Sequence, residues 1–453
     1  MIEPLRVLLI GDTDSQLHYC QVLSQASTGS GVEISINVVP DEGTPRVLIT
    51  ELERNAKLWH FNLDRLARQP ALKQFHAIGV FLTGSKIAAF RKAYHSFCSQ
   101  HNEQPAILFC GFNGVVLENF EEGIAWRLGY DLIALNGPRD QSRLSRFLRH
   151  TPFAAQPTVI TGLRRRPSGE NKSDGLQPAR LKQLIFAEQV LMPRRPTERS
   201  HMVCILADLA RRSPEWQIII KPRVRPGDRT FWSSAEHISE TIDKSIGMKP
   251  ANLRISYEPI ADLLQSSRLM CTVSSTAVFD ALDLGCRPVV MADFGWSAKN
   301  GTSFFKNSGL LRQLASCKDL DDLDAELPLP NPHWLDWVGY GDRHQPRNVY
   351  ARIRELMEEP CVVPALDLPG HEIPQTISDG PGVLGLTVNQ LRLDAEEAIE
   401  RQEWQEAVEL LLDAQLQRPD NRNIKRRLDA VRSRNHLIRN VRLALSPAFK
   451  LKT

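Results

Sequence analysis

The chain has 453 residues, of which 42% are hydrophobic, and its 56 Lys and Arg against 53 Asp and Glu leave a formal net charge of +3. That length exceeds one ordinary core, so two domains with an appendage are expected. The near balance of charge excludes a global nucleic-acid signature and directs attention to local patches. Eight cysteines at positions 20, 98, 110, 204, 271, 286, 317 and 361 show no C-x-x-C or metal-ligand spacing, and they read as reduced, buried thiols of a cytoplasmic protein. The first apolar run, residues 6–10, is too short for a signal peptide, and no run approaches the ~20 apolar residues of a membrane span. Any membrane contact is therefore expected to be peripheral.

In chain order, short apolar runs at 7–10, 34–39, 77–82, 106–110 and 132–135 alternate with longer stretches. This rhythm predicts a parallel sheet with crossover helices. Asp12-Thr13-Asp14-Ser15 follows the first run directly. At the carboxyl end of a strand these side chains face the binding crevice of an α/β sheet, so Asp14 or Asp12 is a candidate general base for an acceptor hydroxyl. The competing reading is a cap on a helix over 16–25. The same Asp-x-Asp spacing occurs in metal motifs of single-domain sugar transferases, but its place at the first strand is wrong for them, and no metal site is expected. Thr83-Gly84-Ser85 and Cys110-Gly111-Phe112-Asn113-Gly114 also end apolar runs. Glycine permits tight turns and close ligand approach there, which makes Ser15, Gly84, Ser85, Gly111 and Asn113 acceptor-side candidates, with ordinary turn chemistry as the alternative.

A polar stretch from Arg164 to Gly175 reads as a linker. A second series of apolar runs then follows at 183–189, 217–220, 253–257, 269–273 and 288–291. The run at 217–220 ends in Lys221-Pro222-Arg223, and that at 269–273 ends in Ser274-Ser275-Thr276 before helical spacing through residue 285. A helix N-terminus with free N–H groups, together with an ammonium and a guanidinium, suits phosphate. Glu258, after another strand, is a candidate for a ribose hydroxyl, with a turn-forming Glu-Pro as the alternative, and Asp293-Phe294-Gly295 is expected in a loop at the same crevice. There is no Walker loop, no G-x-G-x-x-G after the first strand and no G-x-S-x-G elbow, so NTPase, dinucleotide oxidoreductase and serine hydrolase readings lose support.

Beyond residue 314 the pattern becomes irregular, with a helix expected at 348–359, a Pro/Gly-rich stretch at 361–390 and a helical pair over 391–431. Ala395, Ala407, Ala414 and Pro419 fall at the spacing of a tetratricopeptide-like unit. One such unit cannot bury its own face, so docking on the main body or on a partner is expected. From Pro419 to Thr453 ten Lys or Arg face two Asp, a local charge of 10 − 2 = +8. That basic tail reads either as a membrane-surface helix or partner contact or as a solvated helix end. The predicted domains are thus an acceptor domain at 1–163, a linker at 164–180, a nucleotide-donor domain at 181–360, a linker at 361–390 and a helical hairpin with basic tail at 391–453.

At these residues the chain resembles bacterial glycosyltransferases of the two-Rossmann (GT-B) type, most closely an uncharacterised glycosyltransferase family. The resemblance is carried by Asp12 to Ser15, by Phe186, Gln189, Pro193, Arg195, Glu198 and Arg199, by Lys221 to Arg223, and by Val273 to Ala277 with Asp293-Phe294-Gly295. It covers roughly residues 5 to 340. More distantly the chain is similar to capsule sialyltransferases, whose acidic motif Asp41-Glu42-Gly43 matches formally, and to CDP-glycerol glycerophosphotransferases. Those relatives carry a His-Pro pair after the lysine-containing strand. Pro222-Arg223 stands there in this chain, and arginine can stabilise a leaving phosphate but cannot donate a proton. The resemblance implies an α/β protein of two Rossmann-like domains facing a cleft. Its implied activity is metal-independent transfer of a sugar from a nucleotide-activated donor to a glycan, lipid or other hydroxyl acceptor, in cell-surface polysaccharide or glycoconjugate synthesis, with no further cofactor. Two alternatives stay open. A nucleotide-sugar epimerase of the same fold would convert the donor with no acceptor present, and a non-catalytic scaffold acting through the helical tail would bind no nucleotide.

Overall fold

Residues 3–39, 46–82, 84–116, 120–149, 151–164, 180–190, 192–226, 236–295, 300–363, 386–417, 421–433 and 435–446 are described by a computed structural model. Thr83, the Asp41-Glu42-Gly43 motif, most of both expected linkers and the last seven residues lie outside the described set. The chain divides into two units, Met1–Thr161 with Pro346–Thr453, and Gly162–Gln345.

The first unit holds β1 (Leu5–Gly11), β2 (Val32–Val38), β3 (Lys57–Trp59), β4 (Ala77–Phe81), β5 (Ile107–Gly111), β6 (Leu132–Leu135) and β7 (Thr158–Ile160), all parallel in the order β3-β2-β1-β4-β5-β6-β7. Successive side chains leave opposite faces of a strand, and helices cover both faces of a parallel sheet, so each strand reads as a continuous apolar run. Leu8, Ile10, Ile78, Val80, Leu108 and Cys110 pack with Ile87, Phe90 and Tyr94 of the helix Ser85–Gln100. Their neighbours Val7, Leu9, Ala77, Phe81 and Phe109 pack on the other face with Leu17, Cys20 and Leu23 of the helix Asp14–Ala26.

That second face also receives Val349, Tyr350, Ile353 and Leu356 of the helix Asn348–Glu358. Tyr350 donates its hydroxyl to the Leu23 carbonyl at 2.7 Å, and Asn348 reaches the Ile160 carbonyl at 3.2 Å. The expected boundary at 360 is therefore corrected: the chain returns to the first unit at Pro346. The apolar stripe of this helix matches the first sheet, although the helix follows the second unit in sequence.

The four helices Leu386–Glu400, Trp404–Gln417, Arg422–Val431 and His436–Leu445 also belong to the first unit. They begin five residues before the expected start of the hairpin and extend beyond a pair. Ala395, Ala398, Ala407 and Ala414 are fully buried at their contacts, where small side chains let helices approach closely. Arg149, at the end of the helix Pro138–Leu148, meets the buried Asp394 at 2.7 Å, so the group docks on the body of its own unit.

The second unit holds β8 (Leu181–Ala187), β9 (Gln217–Lys221), β10 (Leu253–Ile255), β11 (Ser267–Thr272), β12 (Arg287–Met291) and β13 (Leu311–Arg312), all parallel in the order β10-β9-β8-β11-β12-β13. Leu184, Phe186, Ile218, Ile220, Cys271 and Met291 pack there with Met202, Val203, Leu206 and Leu209 of the helix Pro196–Arg212. The strand order reverses between β1 and β4 in one sheet and between β8 and β11 in the other. Open parallel sheets bind ligands at such switch points, beyond the carboxyl ends of their strands.

All eight cysteines are unpaired. Burial pushes the thiols of Cys20, Cys110 and Cys271 up, which leaves them inert at neutral pH.

Candidate active site

In the second unit the carboxyl ends of β8 and β11 are tied together by the side chains of Gln189 and Thr272. Gln189, two residues past β8, accepts the Ser274 backbone N–H at 2.9 Å through Oε1 and lies 3.4 Å from the Ser274 hydroxyl. Thr272, the last residue of β11, donates its hydroxyl to the Ala187 carbonyl at 2.9 Å and accepts the Ser275 N–H at 3.3 Å. These bonds fix the loop 273–276. Its helix starts later than sequence spacing suggests, at Ala277, and runs only to Asp283, with Thr276 as its N-cap. Seven residues add little macrodipole, so the loop's own groups matter more. Ser274 is buried against Gln189, Ser275 is half-buried and accepts the Ala277 N–H at 3.2 Å, and Thr276 is exposed.

Gln189 is itself held from beneath. The buried Arg199 donates to the carbonyls of Gln189 and Val190 at 3.1 and 2.9 Å and pairs with the buried Glu188 at 2.9 Å. Glu188 reaches towards the Arg223 backbone N–H at 3.4 Å, which links the ends of β8 and β9. Lys221, Arg223 and Arg225 follow along the end of β9. The Lys221 ammonium donates to the Pro222 carbonyl at 2.7 Å. Burial, and secondarily the nearby Arg225, hold its pKa below the ordinary lysine range, while Glu188 opposes that shift. Arg225 lies over the Tyr257 ring at 5.5 Å, and His237 stacks on the same ring with centroids 6.4 Å apart. Sheet order places β9 two strands from β11, about 10 Å at ordinary strand spacing.

One of the expected donor ligands, Asp293, has backbone partners of its own. Asp293 accepts the backbone N–H groups of Leu314 and Ala315 at 2.9 and 2.8 Å, so its carboxylate caps the short 3-10 turn Leu314–Ser316. Asp293→Asn is expected to lower unfolding stability by about 1–2 kcal/mol in a urea titration while leaving nucleotide affinity unchanged. Glu258 is exposed in the turn after β10, at the outer edge of the sheet. Its backbone N–H is taken by Ser256 at 3.2 Å.

In the first unit Asp12 lies just past β1. Its side chain is only 2% exposed and meets Lys86 at 2.8 Å. Lys86 is the second residue of the helix after β4, so the pair spans the β1/β4 switch point. Gly84, before that helix, has φ +50, a conformation that favours glycine. Thr13 is the N-cap of the next helix, so neither Asp12 nor Asp14 serves as its cap residue; Asp14 and Ser15 are exposed on its first turn. Asn113 is half-buried after β5. Gly111 is a correction: it is buried inside β5, a Cβ there would stand 2.8 Å from Ala134, and Arg127 occupies its carbonyl from 2.9 and 3.1 Å. It packs two strands together and does not face an acceptor.

Sequence reasoning passed over Lys86, Glu188 and Arg225. A lysine two residues past a strand-end glycine is a usable signal for the first. Among the described residues, no three His, Cys, Asp or Glu side chains come together as metal ligands.

A model of the family described as "Putative glycosyltransferase (DUF6716)" matches residues 7–356. Comparison with curated proteins finds no match. Among solved structures, a "putative UDP-N-acetylglucosamine 2-epimerase" from Listeria monocytogenes superposes with a TM-score of 0.50 at 12% identity, over 81% of this chain and 99% of that one. A glycosyltransferase from Rickettsia africae gives 0.49 at 10% identity, over 79% and 99%. At 12% identity the Listeria superposition bears on the fold alone, and that fold is the GT-B-like pair of parallel α/β sheets.

Proposed function

The chain belongs to this glycosyltransferase family, and on that premise we propose that its second unit holds the nucleotide of an activated sugar at the β8/β11 switch point. The observation that carries this reading is the Gln189-fixed loop Ser274–Thr276 in the same sheet as the basic end of β9. Ser275, Thr276 and the loop's backbone groups supply neutral donors, and Lys221 and Arg223 supply positive charge. Ser274 acts by shaping the loop, since Gln189 engages it. Glu258 is assigned to the ribose edge of the site.

In the reaction, the acceptor hydroxyl oxygen bonds to the sugar's anomeric carbon while that carbon's bond to the phosphate oxygen breaks. The departing nucleotide carries the electron pair, and its negative charge is met by Lys221, Arg223 and the loop. The acceptor's proton passes to a carboxylate. Asp14, exposed on the first turn, is assigned this task, and Asp12 with Lys86 positions the turn. Ser15, Ser85, Gly84 and Asn113 lie at the same strand ends as acceptor contacts. Because the cationic side chains neutralise the leaving group, the reading includes independence from metal, checked by unchanged activity in EDTA. It also places the enzyme in glycan or glycoconjugate synthesis.

Incubation of the purified protein with UDP-, GDP-, dTDP- and CMP-linked sugars, with and without a mixed pool of glycan and lipid acceptors, tests the proposal. Nucleotide release that requires acceptor is the expected result. Conversion of the donor into an isomer without acceptor identifies an epimerase. In the same assay Asp14→Asn is expected to lower turnover roughly 100-fold or more with donor binding intact, and an unchanged rate removes Asp14 from the mechanism.

A further inference from the structure

We propose that the helix His436–Leu445 is a docking surface for an anionic lipid bilayer, on which the protein lies by its last helices. This inference is independent of the donor site.

The helix has no buried residue. Leu437, Ile438, Val441 and Leu445 are 73, 46, 59 and 80% exposed. At 100° per residue these four side chains fall within an arc of about 100°, so they form one apolar stripe along the helix. Other exposed large hydrophobic residues, such as Met248 and Leu329, are dispersed along the chain. Single exposed apolar residues need no explanation, whereas a contiguous stripe marks an interaction surface.

The opposite side of the helix fixes its orientation. Leu443 packs against the apolar cluster of the preceding helices. Arg439 lies over the Trp404 ring at 4.5 Å and donates to the Ser433 carbonyl at 2.9 Å. The buried Arg427, paired with Glu396 through Nε at 2.9 Å, donates to the Leu443 carbonyl at 2.8 Å. Asn435 caps the first turn by accepting the N–H groups of Leu437 and Ile438 at 3.0 and 3.3 Å. The helix is thus formed and oriented before any partner arrives, with its apolar stripe outward.

Charge selects the partner. Arg442 flanks the stripe, and Arg422, Lys425, Arg426 and Arg432 are exposed on the preceding helix and its end. No acidic residue occurs from 430 to 446. An apolar face bordered by cations, on a helix of low overall hydrophobicity, suits the boundary between anionic headgroups and acyl chains. Among the described residues no helix is long and apolar enough to cross a membrane, so the contact is along the surface.

The test is flotation of the full chain with vesicles of phosphatidylcholine alone and with about one-third phosphatidylglycerol. Binding is expected only to the anionic vesicles and should fall as salt rises. Val441→Asp with Leu445→Asp should lower the partition coefficient by about tenfold or more, and Arg432→Glu with Arg442→Glu should do the same. All four sites are exposed, so unchanged unfolding midpoints are expected, and sugar-nucleotide binding should persist in both variants. Failure of the wild-type protein to bind anionic vesicles, or wild-type binding by the Asp variant, overturns the proposal. So does a concentration-dependent dimer in sedimentation that Val441→Asp abolishes, because a second copy would then cover the stripe.

Discussion

Arg199→Met should be the most damaging single substitution at the donor site, although Arg199 touches no ligand in the proposed reaction. It would leave Glu188 buried without its 2.9 Å partner and free the carbonyls of Gln189 and Val190. Breaking one side of a buried ion pair costs about 3–5 kcal/mol, a large share of the stability of an ordinary domain. The loss is expected in urea unfolding followed by tryptophan fluorescence. Exchanging both partners for apolar residues, Glu188→Leu with Arg199→Met, should restore much of that stability. It should not restore nucleotide affinity, since Gln189 would still lack the clamp that aims it at Ser274. Recovery of both properties together would show that the pair serves only the core.

Lys221→Ala combined with Arg223→Ala should weaken nucleoside diphosphate binding by roughly 100-fold or more, because each charge-assisted phosphate contact contributes about 1.5–3 kcal/mol and each 1.4 kcal/mol is a factor of ten. A pH dependence follows from the Lys221 environment. Burial first, then the charge of Arg225, lowers its pKa from the ordinary lysine value. The ammonium is the form that attracts phosphate, so its contribution is complete at lower pH and is lost as pH rises through a value below that of a free lysine. Calorimetric titration between about pH 7 and pH 10 should therefore show affinity falling on the alkaline side. Lys221→Arg should flatten that fall, since a guanidinium keeps its charge throughout.

The fold was legible wherever burial acts through the local sequence. The first strand is apolar on both faces because helices cover both sides of its sheet, and such a run is visible without knowing its neighbours. β3, β7 and β13 were not legible: each has two or three residues at a sheet edge, too few for any period. The helix Asn348–Glu358 was readable as a helix, but its place was not, because only packing reveals that Tyr350 bonds Leu23. The site divides in the same way. Lys221, Arg223 and the Ser274–Thr276 loop announce themselves as polar groups at strand ends. Asp293 does so equally well, yet its partners are the backbone N–H groups of residues 314 and 315, a relation that no local pattern carries. Lys86 reaches Asp12 only because β1 and β4 are adjacent, which is a property of topology.

The most direct measurement is isothermal titration of the wild-type protein and the Lys221→Ala, Arg223→Ala variant with CMP, CDP, UDP, GDP and dTDP. The account predicts that the wild-type protein binds one of these nucleotides with clear preference and that the folded variant loses that binding. Equal binding by both proteins, or no binding of any nucleotide to the wild-type protein, would contradict the placement of an activated sugar donor on the second unit.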